Sequence, residues 1–558
     1  MVVDTAGAHF PDLNTWHAGW IDSSRIYEIF LRTLSLDGNL KAATNRLTYI
    51  KSLGVNTIWL MPIYPGPPLS PSQPGYAISD YFNVNPVYGN LNDFKTFVDS
   101  AHSKGFKVIL DYVVDHTSNI HPFMLDAYKY GSYSPYYNFY KWNSDGSYKY
   151  LYTWTDLPFV NYELQRNREY FIDAAKFWLE NYNIDGFRCD AAAEVNDLHP
   201  GGSDFWQQFR SELKTVKPDI LLLGELNAAN LNYFDKKFDS GYDYSFFDNI
   251  RNAVSNNNML NNFESGISSY LPGNYPSYLI PFRYIENHDQ ARFISQYNLN
   301  ETKLAAANLL SLPGLPMIYA GQEVGEQSYR GLINWQDPNN LTPYYKKIIS
   351  LRKDLKPLSY GQYRELETSS PDSVFAYSRS IDSSYTIVAS NFTNGTVDAH
   401  IKIDSLHFKI IPGKDYYFND LLNGYSYPAN NLSDLAISLS ANSASIFVLS
   451  DTIITSVNSK ENTPNKFSLN QNYPNPFNPT TTIKYSVGGA GATNVKLIIY
   501  NILGQRVRTL VNDTKSPGQY SAIWNGRNDS GIEVSSGIYL YWFKARDFME
   551  TKKMIFLK

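Results

Sequence analysis

Short apolar runs alternate with amphipathic segments from residue 24 to about residue 350, a pattern typical of repeated strand–helix units around a parallel sheet. Amphipathic stretches such as 40–54 and 91–105 each end in glycine, a common C-terminal stop for a helix. Eight apolar runs read as strands: 25–33, 57–63, 107–116, 184–190, 220–225, 238–246, 282–289 and 315–321. Eight strands with alternating helices predict an α/β fold, a closed (β/α)8 barrel.

The pattern departs from a simple barrel in four places. Residues 117–165, dense in Tyr, Pro, Gly, Ser and Asn, predict a small loop subdomain after strand 3 beside the barrel mouth. Together with this loop subdomain, the barrel domain spans residues 1–355. Short alternating strands over 356–452 predict an antiparallel β-sandwich. A polar linker follows at 453–467, and residues 468–558 read as a second, C-terminal β-sandwich-like domain.

Composition narrows the range of partners. A charged content of 18% and a hydrophobic content of 43% are ordinary for a globular protein. The net charge of −5 comes without a basic block, so we expect neither nucleic acid nor an anionic membrane as a partner. No apolar run approaches the ~18 residues of a membrane span. The 45 tyrosines and 10 tryptophans offer flat faces for sugars, although β-rich proteins also carry many tyrosines on strands.

Charged residues follow several predicted strands at their C-terminal ends, where barrel enzymes hold their catalytic groups. Strand 4 ends within YNIDGFRCDAAAE (182–194), and by itself this cation–carboxylate pair could equally be structural. Taken together, however, the strand ends bring at least five acids to one rim, with an arginine and histidines among them. The residues at these ends are Asp111, Asp115, His116, Arg188, Asp190, Glu225, Glu286, Asn287, His288 and Asp289. Carboxylates in one place raise each other's pKa and destabilise the fold, so such a cluster indicates a functional site.

Two of these carboxylates suggest a division of labour. Glu225 emerges from the apolar run ILLLG, and we expect desolvation to keep it protonated as a general acid. Asp190 lies two residues after Arg188, and we expect the cation to keep it ionised as a nucleophile. Retaining glycosidases divide their two carboxylates in this way. Cys189, the only cysteine, lies in a predicted buried strand and reads as a small hydrophobe.

Four short segments in order resemble the α-amylase family of glycoside hydrolases, family 13. They read DYVVDH at 111–116, GFRCD at 186–190, GEL at 224–226 and ENHD at 286–289. GVNTIWLMPI, GYAISDY and LPGLPMIYAGQE match as well, so the resemblance covers residue 20 to about residue 450. It implies a retaining, endo-acting α-amylase that hydrolyses α-1,4 bonds of starch and maltooligosaccharides. The alternatives are a 4-α-glucanotransferase, a cyclomaltodextrinase or neopullulanase, or, more remotely, a non-catalytic glucan-binding barrel.

The resemblance also implies a role for each matching residue. Asp190 would be the nucleophile, Glu225 the acid/base, and Asp289 the third carboxylate that distorts the bound sugar. Asp111 would support the site. The implied substrate-binding residues are Tyr76, which would stack beneath the sugar ring, His116 and His288, which would hold its hydroxyls, and Arg188, which would hydrogen-bond the nucleophile.

The chain departs from the family where a structural calcium ion is usual. The family commonly has asparagine at the position of Asp115 and aspartate at the position of Phe159, and many members have lysine and histidine where Ala193 and Glu194 stand here. Calcium needs six to eight oxygen ligands, and Phe159 supplies no side-chain ligand. Asp115 and Glu194 remain as candidates for an altered calcium site. The chemistry itself needs no cofactor.

The C-terminal 90 residues resemble a sorting domain of the type IX secretion system. The resemblance rests on PNPFNP, YNILGQRV (500–507), GIYLYWF and the basic end MIFLK. A carbohydrate-binding module is the alternative, with Trp524 and Trp542 as stacking residues. A sorting domain implies secretion machinery as a partner and a secreted or cell-surface location. The first 13 residues show no signal peptide, so the alternatives are a cytoplasmic origin or a start after the cleavage site.

Overall fold

The computed structural model describes most of the chain, in two compact units, 1–455 and 456–558. The described residues are 2–4, 7–9 and 19–557, without 71–73, 257–258, 272–273, 277, 405–407, 409–410, 412, 455–466, 473–474, 489–492 and 516–517. Most of the predicted linker, 453–467, lies outside the described residues. A short hairpin, Val2–Asp4 with Gly7–His9, precedes the barrel.

Eight parallel strands close into a barrel, which confirms the predicted fold class. They are β1 (Ile26–Ile29), β2 (Thr57–Leu60), β3 (Lys107–Val113), β4 (Gly186–Asp190), β5 (Leu221–Asn227), β6 (Ser240–Tyr242), β7 (Ile280–Arg283) and β8 (Leu315–Tyr319). Neighbours in sequence pair throughout, and β8 closes the ring on β1. Trp59, Ile109, Leu223, Phe282 and Met317 belong to the buried core that this ring encloses.

Twelve α-helices are described. They are α1 (Leu31–Leu34), α2 (Leu40–Leu53), α3 (Leu91–Ser103), α4 (Pro122–Tyr130), α5 (Gln165–Tyr182), α6 (Ala192–Leu198), α7 (Gly202–Val216), α8 (Tyr244–Ser255), α9 (Leu260–Ser268), α10 (Leu299–Ser311), α11 (Thr342–Asp354) and α12 (Lys356–Tyr360). Local sequence sets several ends. Asn90 and Asp93 form a reciprocal capping box at the start of α3, and Gly54 ends α2 with a left-handed φ of 98°.

Six strands, β1, β2, β3, β6, β7 and β8, end earlier than the apolar runs predicted. Strand β3 stops at Val113, and β7 stops at Arg283, so the 286–289 segment lies in the loop after β7. Strand β6 is only three residues long because α8 begins at Tyr244. Asp243 caps that helix, its carboxylate accepting a hydrogen bond of 2.8 Å from the amide of Phe246. Apolar runs therefore marked the strands correctly but also included buried loop residues.

An antiparallel sandwich follows the barrel within the first unit. Its strands are β9 (Gln362–Glu365), β10 (Val374–Ile381), β11 (Ser384–Asn391), β12 (Val397–Lys402), β13 (Tyr417–Asp420), β14 (Tyr425–Pro428), β15 (Asp434–Leu439) and β16 (Ser443–Ser450). Six strands form one sheet in the order β9-β10-β11-β16-β13-β14, and β12 pairs with β15. Alternating inward residues such as Leu435, Ile437 and Leu439 build the core between the two sheets.

The second unit is also an antiparallel sandwich. Its strands are β17 (Ser468–Leu469), β18 (Thr481–Val487), β19 (Thr493–Asn501), β20 (Arg506–Lys515), β21 (Gly518–Trp524), β22 (Gly537–Ala545) and β23 (Phe548–Phe556). They form a β17-β18-β21 sheet and a β20-β19-β22-β23 sheet. Trp524 is fully buried among Phe477, Tyr539 and Phe556. Its ring is therefore part of the core of this unit.

Candidate active site

Arg188 is the centre of the cluster of strand-end charges. Its side chain is fully buried at the end of β4. One terminal nitrogen, Nη1, donates to Asp111 Oδ1 at 2.9 Å and to Asp190 Oδ1 at 2.7 Å. The other, Nη2, lies 2.8 Å from Glu225 Oε2. Three neighbouring strands, β3, β4 and β5, thus bring three carboxylates to one cation, and the cation offsets their mutual repulsion.

Asp190 and Glu225 share the guanidinium of Arg188. Burial raises the pKa of the Asp190 carboxyl well above its ordinary value; Arg188 opposes this rise, and the neighbouring Glu225 charge adds to it. Glu225 accepts a hydrogen bond of 2.9 Å from the amide of Ala191, besides its ion pair with Arg188. Glu225 therefore has polar contacts, rather than the purely apolar surroundings expected from the run ILLLG.

Asp111 occupies the inner side of the cluster. Burial raises its pKa to about 6, against the opposing charges of Arg188 and His288. Its Oδ2 accepts hydrogen bonds from the indole of Trp59 at 3.2 Å and from the hydroxyl of Tyr76 at 3.0 Å. Asp111 is fully buried behind the other two carboxylates. Its position therefore agrees with a supporting role.

A second charged group lies in the loop after β7. His288 Nε2 is 2.9 Å from Asp289 Oδ2 and 2.7 Å from the hydroxyl of Tyr76, while Nδ1 contacts Glu28. Burial lowers the pKa of His288, but the carboxylates of Asp289 and Glu28 outweigh burial and raise that pKa to about 10. His288 is therefore an imidazolium at neutral pH. The rings of Tyr76 and His288 stack at 5.6 Å.

Asp289 is held as an anion. Burial raises its pKa, but His288, Arg188 and Arg330 outweigh this and leave it well below the ordinary value. Arg330, in the loop after β8, donates from Nη2 to Asp289 Oδ1 at 2.7 Å and from Nε to the carbonyl of His288 at 2.6 Å. The sequence did not point to Arg330 as a site residue, because a single arginine in a loop belongs to no periodic pattern.

Glu28 was also missed, although the sequence held a signal for it. A charged residue interrupts the apolar run RIYEIFL of the first strand, and the structure buries it completely. A buried carboxylate needs a charged or hydrogen-bonding partner. The partner is His288, 260 positions away.

His116 and Asp115 lie together at the end of β3, and their contacts do not fit a calcium site. Asp115 Oδ1 is 2.8 Å from His199 Nε2, and Asp115 Oδ2 is 3.2 Å from His116 Nδ1. Glu194 instead accepts a hydrogen bond of 2.7 Å from Tyr152. Phe159 packs its ring against His199 at 4.4 Å. Both oxygens of Asp115 are thus engaged by imidazoles, where calcium requires oxygen ligands. No group of three or more His, Cys, Asp or Glu side chains within the described ranges has a metal-binding arrangement.

The cluster faces a cavity of about 580 Å³ at the mouth of the barrel. Asp190, Glu225, Asp289, Tyr76 and His116 line it. Asp111, Arg188 and His288 are buried behind them and contact them. The residues that line the cavity include Tyr76, His116, Tyr152, Trp154, Glu194 and Arg330. The strand ends and the loops that follow them thus bring acids, arginines and histidines to one concave, partly apolar site of the size that small ligands occupy. No described helix is long and apolar enough to cross a membrane.

Comparison with known proteins gives matches over both units. A family model described as the α-amylase catalytic domain matches residues 12–412, and a model of the FlgD Ig-like domain matches residues 479–547. α-Amylase 3 of Dictyoglomus thermophilum is 29% identical over 444 residues, covering 68% of this chain and 86% of that protein. A cyclomaltodextrinase of Thermoanaerobacter pseudethanolicus is 30% identical over 379 residues, covering 63% of each. A crystal structure of an Anoxybacillus α-amylase superposes with a TM-score of 0.66 at 26% identity, covering 78% of this chain and 99% of that one.

Proposed function

The chain belongs to the α-amylase family of glycoside hydrolases, and from this we propose that it is an endo-acting α-amylase that hydrolyses α-1,4-glucosidic bonds of starch and maltooligosaccharides with retention. The observation that carries the proposal is the cluster of Asp190, Glu225 and Asp111 around the buried Arg188, next to the Asp289–His288 pair. Two carboxylates beside one cavity suit an acid-assisted displacement at a sugar carbon.

In the first step an oxygen of Asp190 attacks the anomeric carbon of the bound sugar, and the bond from that carbon to the glycosidic oxygen breaks. Glu225 gives its proton to the departing oxygen, as the general acid of this step. In the second step water attacks the same carbon, Glu225 takes a proton from it, and Asp190 is released. Arg188 contacts both carboxylates and keeps them in position through both steps.

The remaining groups support the charge that develops on the sugar. Asp289 is anionic and lies at the cavity, where it stabilises a positively charged sugar ring. His288, as an imidazolium, donates hydrogen bonds to neighbouring oxygens. Tyr76 and His116 line the cavity, and we assign the first to stacking beneath the sugar and the second to holding a hydroxyl. No step uses a metal ion.

Transfer of the glycosyl group to another sugar fits the same residues equally well. The named relatives include a cyclomaltodextrinase as well as α-amylases. Digestion of maltoheptaose separates the two, since products longer than the substrate show transfer and exclusively shorter ones show hydrolysis. Retention of configuration is checked by proton NMR of the fresh product. A non-catalytic glucan-binding barrel would release no products, and the Asp190→Asn variant would then be as inactive as the wild-type protein.

For the C-terminal unit we propose a sorting role in export by the type IX system, and hence a secreted or cell-surface location. The sequence features PNPFNP and YNILGQRV support this, together with an Ig-like sandwich. The alternative of a carbohydrate-binding module loses one of its two stacking residues, because Trp524 is fully buried. Removal of residues 456–558 should abolish export while starch hydrolysis by the remaining chain persists. Loss of starch binding with export intact would favour the carbohydrate-binding module.

A further inference from the structure

We propose that the outer face of the four-stranded sheet in the second unit binds a membrane surface that contains anionic lipids. This face is formed by the outward residues of β19, β22 and β23, and it combines an apolar centre with lysines at its border. The inference concerns the second unit only. It depends neither on the catalytic function nor on the sorting role proposed above.

The centre of this face is apolar, whereas the solvent side of an antiparallel sheet usually carries polar residues. Side chains alternate along a strand, so Leu497 of β19 is buried in the core while its neighbour Ile498 faces outward. Strand pairing sets Trp542 of β22 opposite Ile498, and Ile538 opposite Ile555 of β23. The outward apolar residues, here called the apolar face, are Ile498, Tyr500, Ile538, Leu540, Trp542 and Ile555.

The other sheet of the same unit shows the usual pattern. Ile483 of β18 is buried, and Thr482 and Lys484 beside it face outward. Ile523 of β21 lies opposite Thr482 and is 67% exposed. One exposed apolar residue is ordinary on a protein surface, but six adjacent ones indicate an interaction surface. The apolar face is therefore a property of one sheet and not of the whole unit.

Lysines border the apolar face. Lys496 and Lys544 lie opposite each other on neighbouring strands, and Lys553 lies opposite Leu540. All three lysines are exposed. The described ion pairs of this unit are Arg506–Asp529, Lys515–Asp513 and Lys552–Glu550. No described carboxylate thus neutralises the three bordering ammonium groups, and no outward residue of β19, β22 or β23, all fully described strands, is acidic.

The charge of the whole unit has the same sign as this border. Residues 456–558 contain thirteen Lys or Arg and six Asp or Glu, a surplus of positive charge, although the chain as a whole has a net charge of −5. Such an asymmetry between parts of a chain favours a negatively charged partner for the basic part. The expectation that no anionic membrane is a partner rested on the whole-chain value, which conceals this difference.

Charge complementarity selects an anionic lipid surface among the possible occupants of the face. Aliphatic side chains and the indole of Trp542 enter the boundary between headgroups and acyl chains, as the apolar sides of peripheral membrane proteins do. Lysine stems lie over apolar surface while their ammonium groups reach the lipid phosphates. A second copy of the same face would bring like charges together. A neutral glucan would give the lysines no opposite charge.

The test is co-sedimentation of the full chain with lipid vesicles. We expect binding to vesicles that contain one third phosphatidylglycerol, no binding to vesicles of phosphatidylcholine alone, and weaker binding as salt is added. Lys544→Glu should weaken binding about tenfold, because it replaces an attraction by a repulsion. Ile538→Ser should weaken it about threefold, because less apolar surface is buried. Ile538 is 44% exposed and Lys544 is also exposed, so both substitutions leave the core intact.

The matched controls are Lys484→Glu and Ile523→Ser, which make the same chemical changes on the outer side of the other sheet. Both should bind the vesicles like the wild type. Equal losses in the controls would overturn the inference, because binding would then follow the charge of the whole unit. A wild type that stays in solution with the phosphatidylglycerol vesicles would overturn it in favour of an acidic protein partner. Starch hydrolysis is measured in parallel and should be equal in all variants, so an inactive barrel would leave the vesicle result unaffected.

Discussion

Replacing Glu28 by glutamine tests the charge pair that links the first strand of the barrel to the loop after its seventh strand. Glu28 and His288 are both buried, with 0% and 1% of their side chains exposed, so solvent does not screen their interaction. The substitution keeps the size and shape of the side chain and removes its charge. Asp289, Tyr76 and Asp111 remain around the imidazole, so His288 keeps one of its two adjacent carboxylate partners.

The size of the effect follows from the pKa of His288. That pKa rises from 6.5 to about 10 on folding, which corresponds to about 5 kcal/mol of stability. Because the folded-state pKa is the higher one, this stability is fully present below pH 6.5 and is lost as the pH rises to about 10. If the variant loses half of the shift, it is less stable by about 2 kcal/mol at pH 6.5, and this deficit disappears by pH 10.

Guanidinium unfolding followed by circular dichroism at 222 nm is the assay, because all described α-helices lie in the first unit. The measured quantity is the difference in unfolding free energy between wild type and Glu28→Gln from pH 6.5 to pH 10. Glu286→Gln is the matched control: Glu286 is buried in the same barrel and pairs with Arg292 at 2.8 Å, and arginine does not titrate in this range. Its deficit should be constant between pH 8 and pH 10. A deficit for Glu28→Gln that is also independent of pH would refute the reasoning.

Three further predictions concern the site. Asp190→Asn should lower kcat on starch about a thousandfold or more, measured as reducing ends, and retained activity would contradict its role as nucleophile. Arg330→Leu should lower kcat/KM about tenfold, because Asp289 loses its partner at 2.7 Å; unchanged kinetics would show that Arg330 does not assist Asp289. A chelator should leave Tm unchanged, and a Tm that falls with chelator would show that the protein does bind a structural metal ion. His199→Leu should lower Tm by about 2–4 °C, because it leaves a buried oxygen of Asp115 without its hydrogen-bond partner.

Local sequence predicted much of the active site because a parallel barrel brings all C-terminal strand ends to one rim. Asp190, Glu225 and Asp111 follow directly from this rule, since each lies at the end of an apolar run. Glu28 and Arg330 do not, because their importance depends on His288 and Asp289, which approach them only in the folded chain. The sequence also could not show that Arg188 would contact Glu225 and give it a polar environment.

The sequence by itself determined the eight-strand barrel, the two sandwiches and which carboxylates meet at the barrel mouth, because each depends on apolar periodicity and on the order of strands along the chain. Tertiary structure alone decided the charges and contacts at that mouth. The raised pKa of Asp190, the imidazolium of His288 and the histidine pair on Asp115 each depend on burial and on distances between residues far apart in sequence.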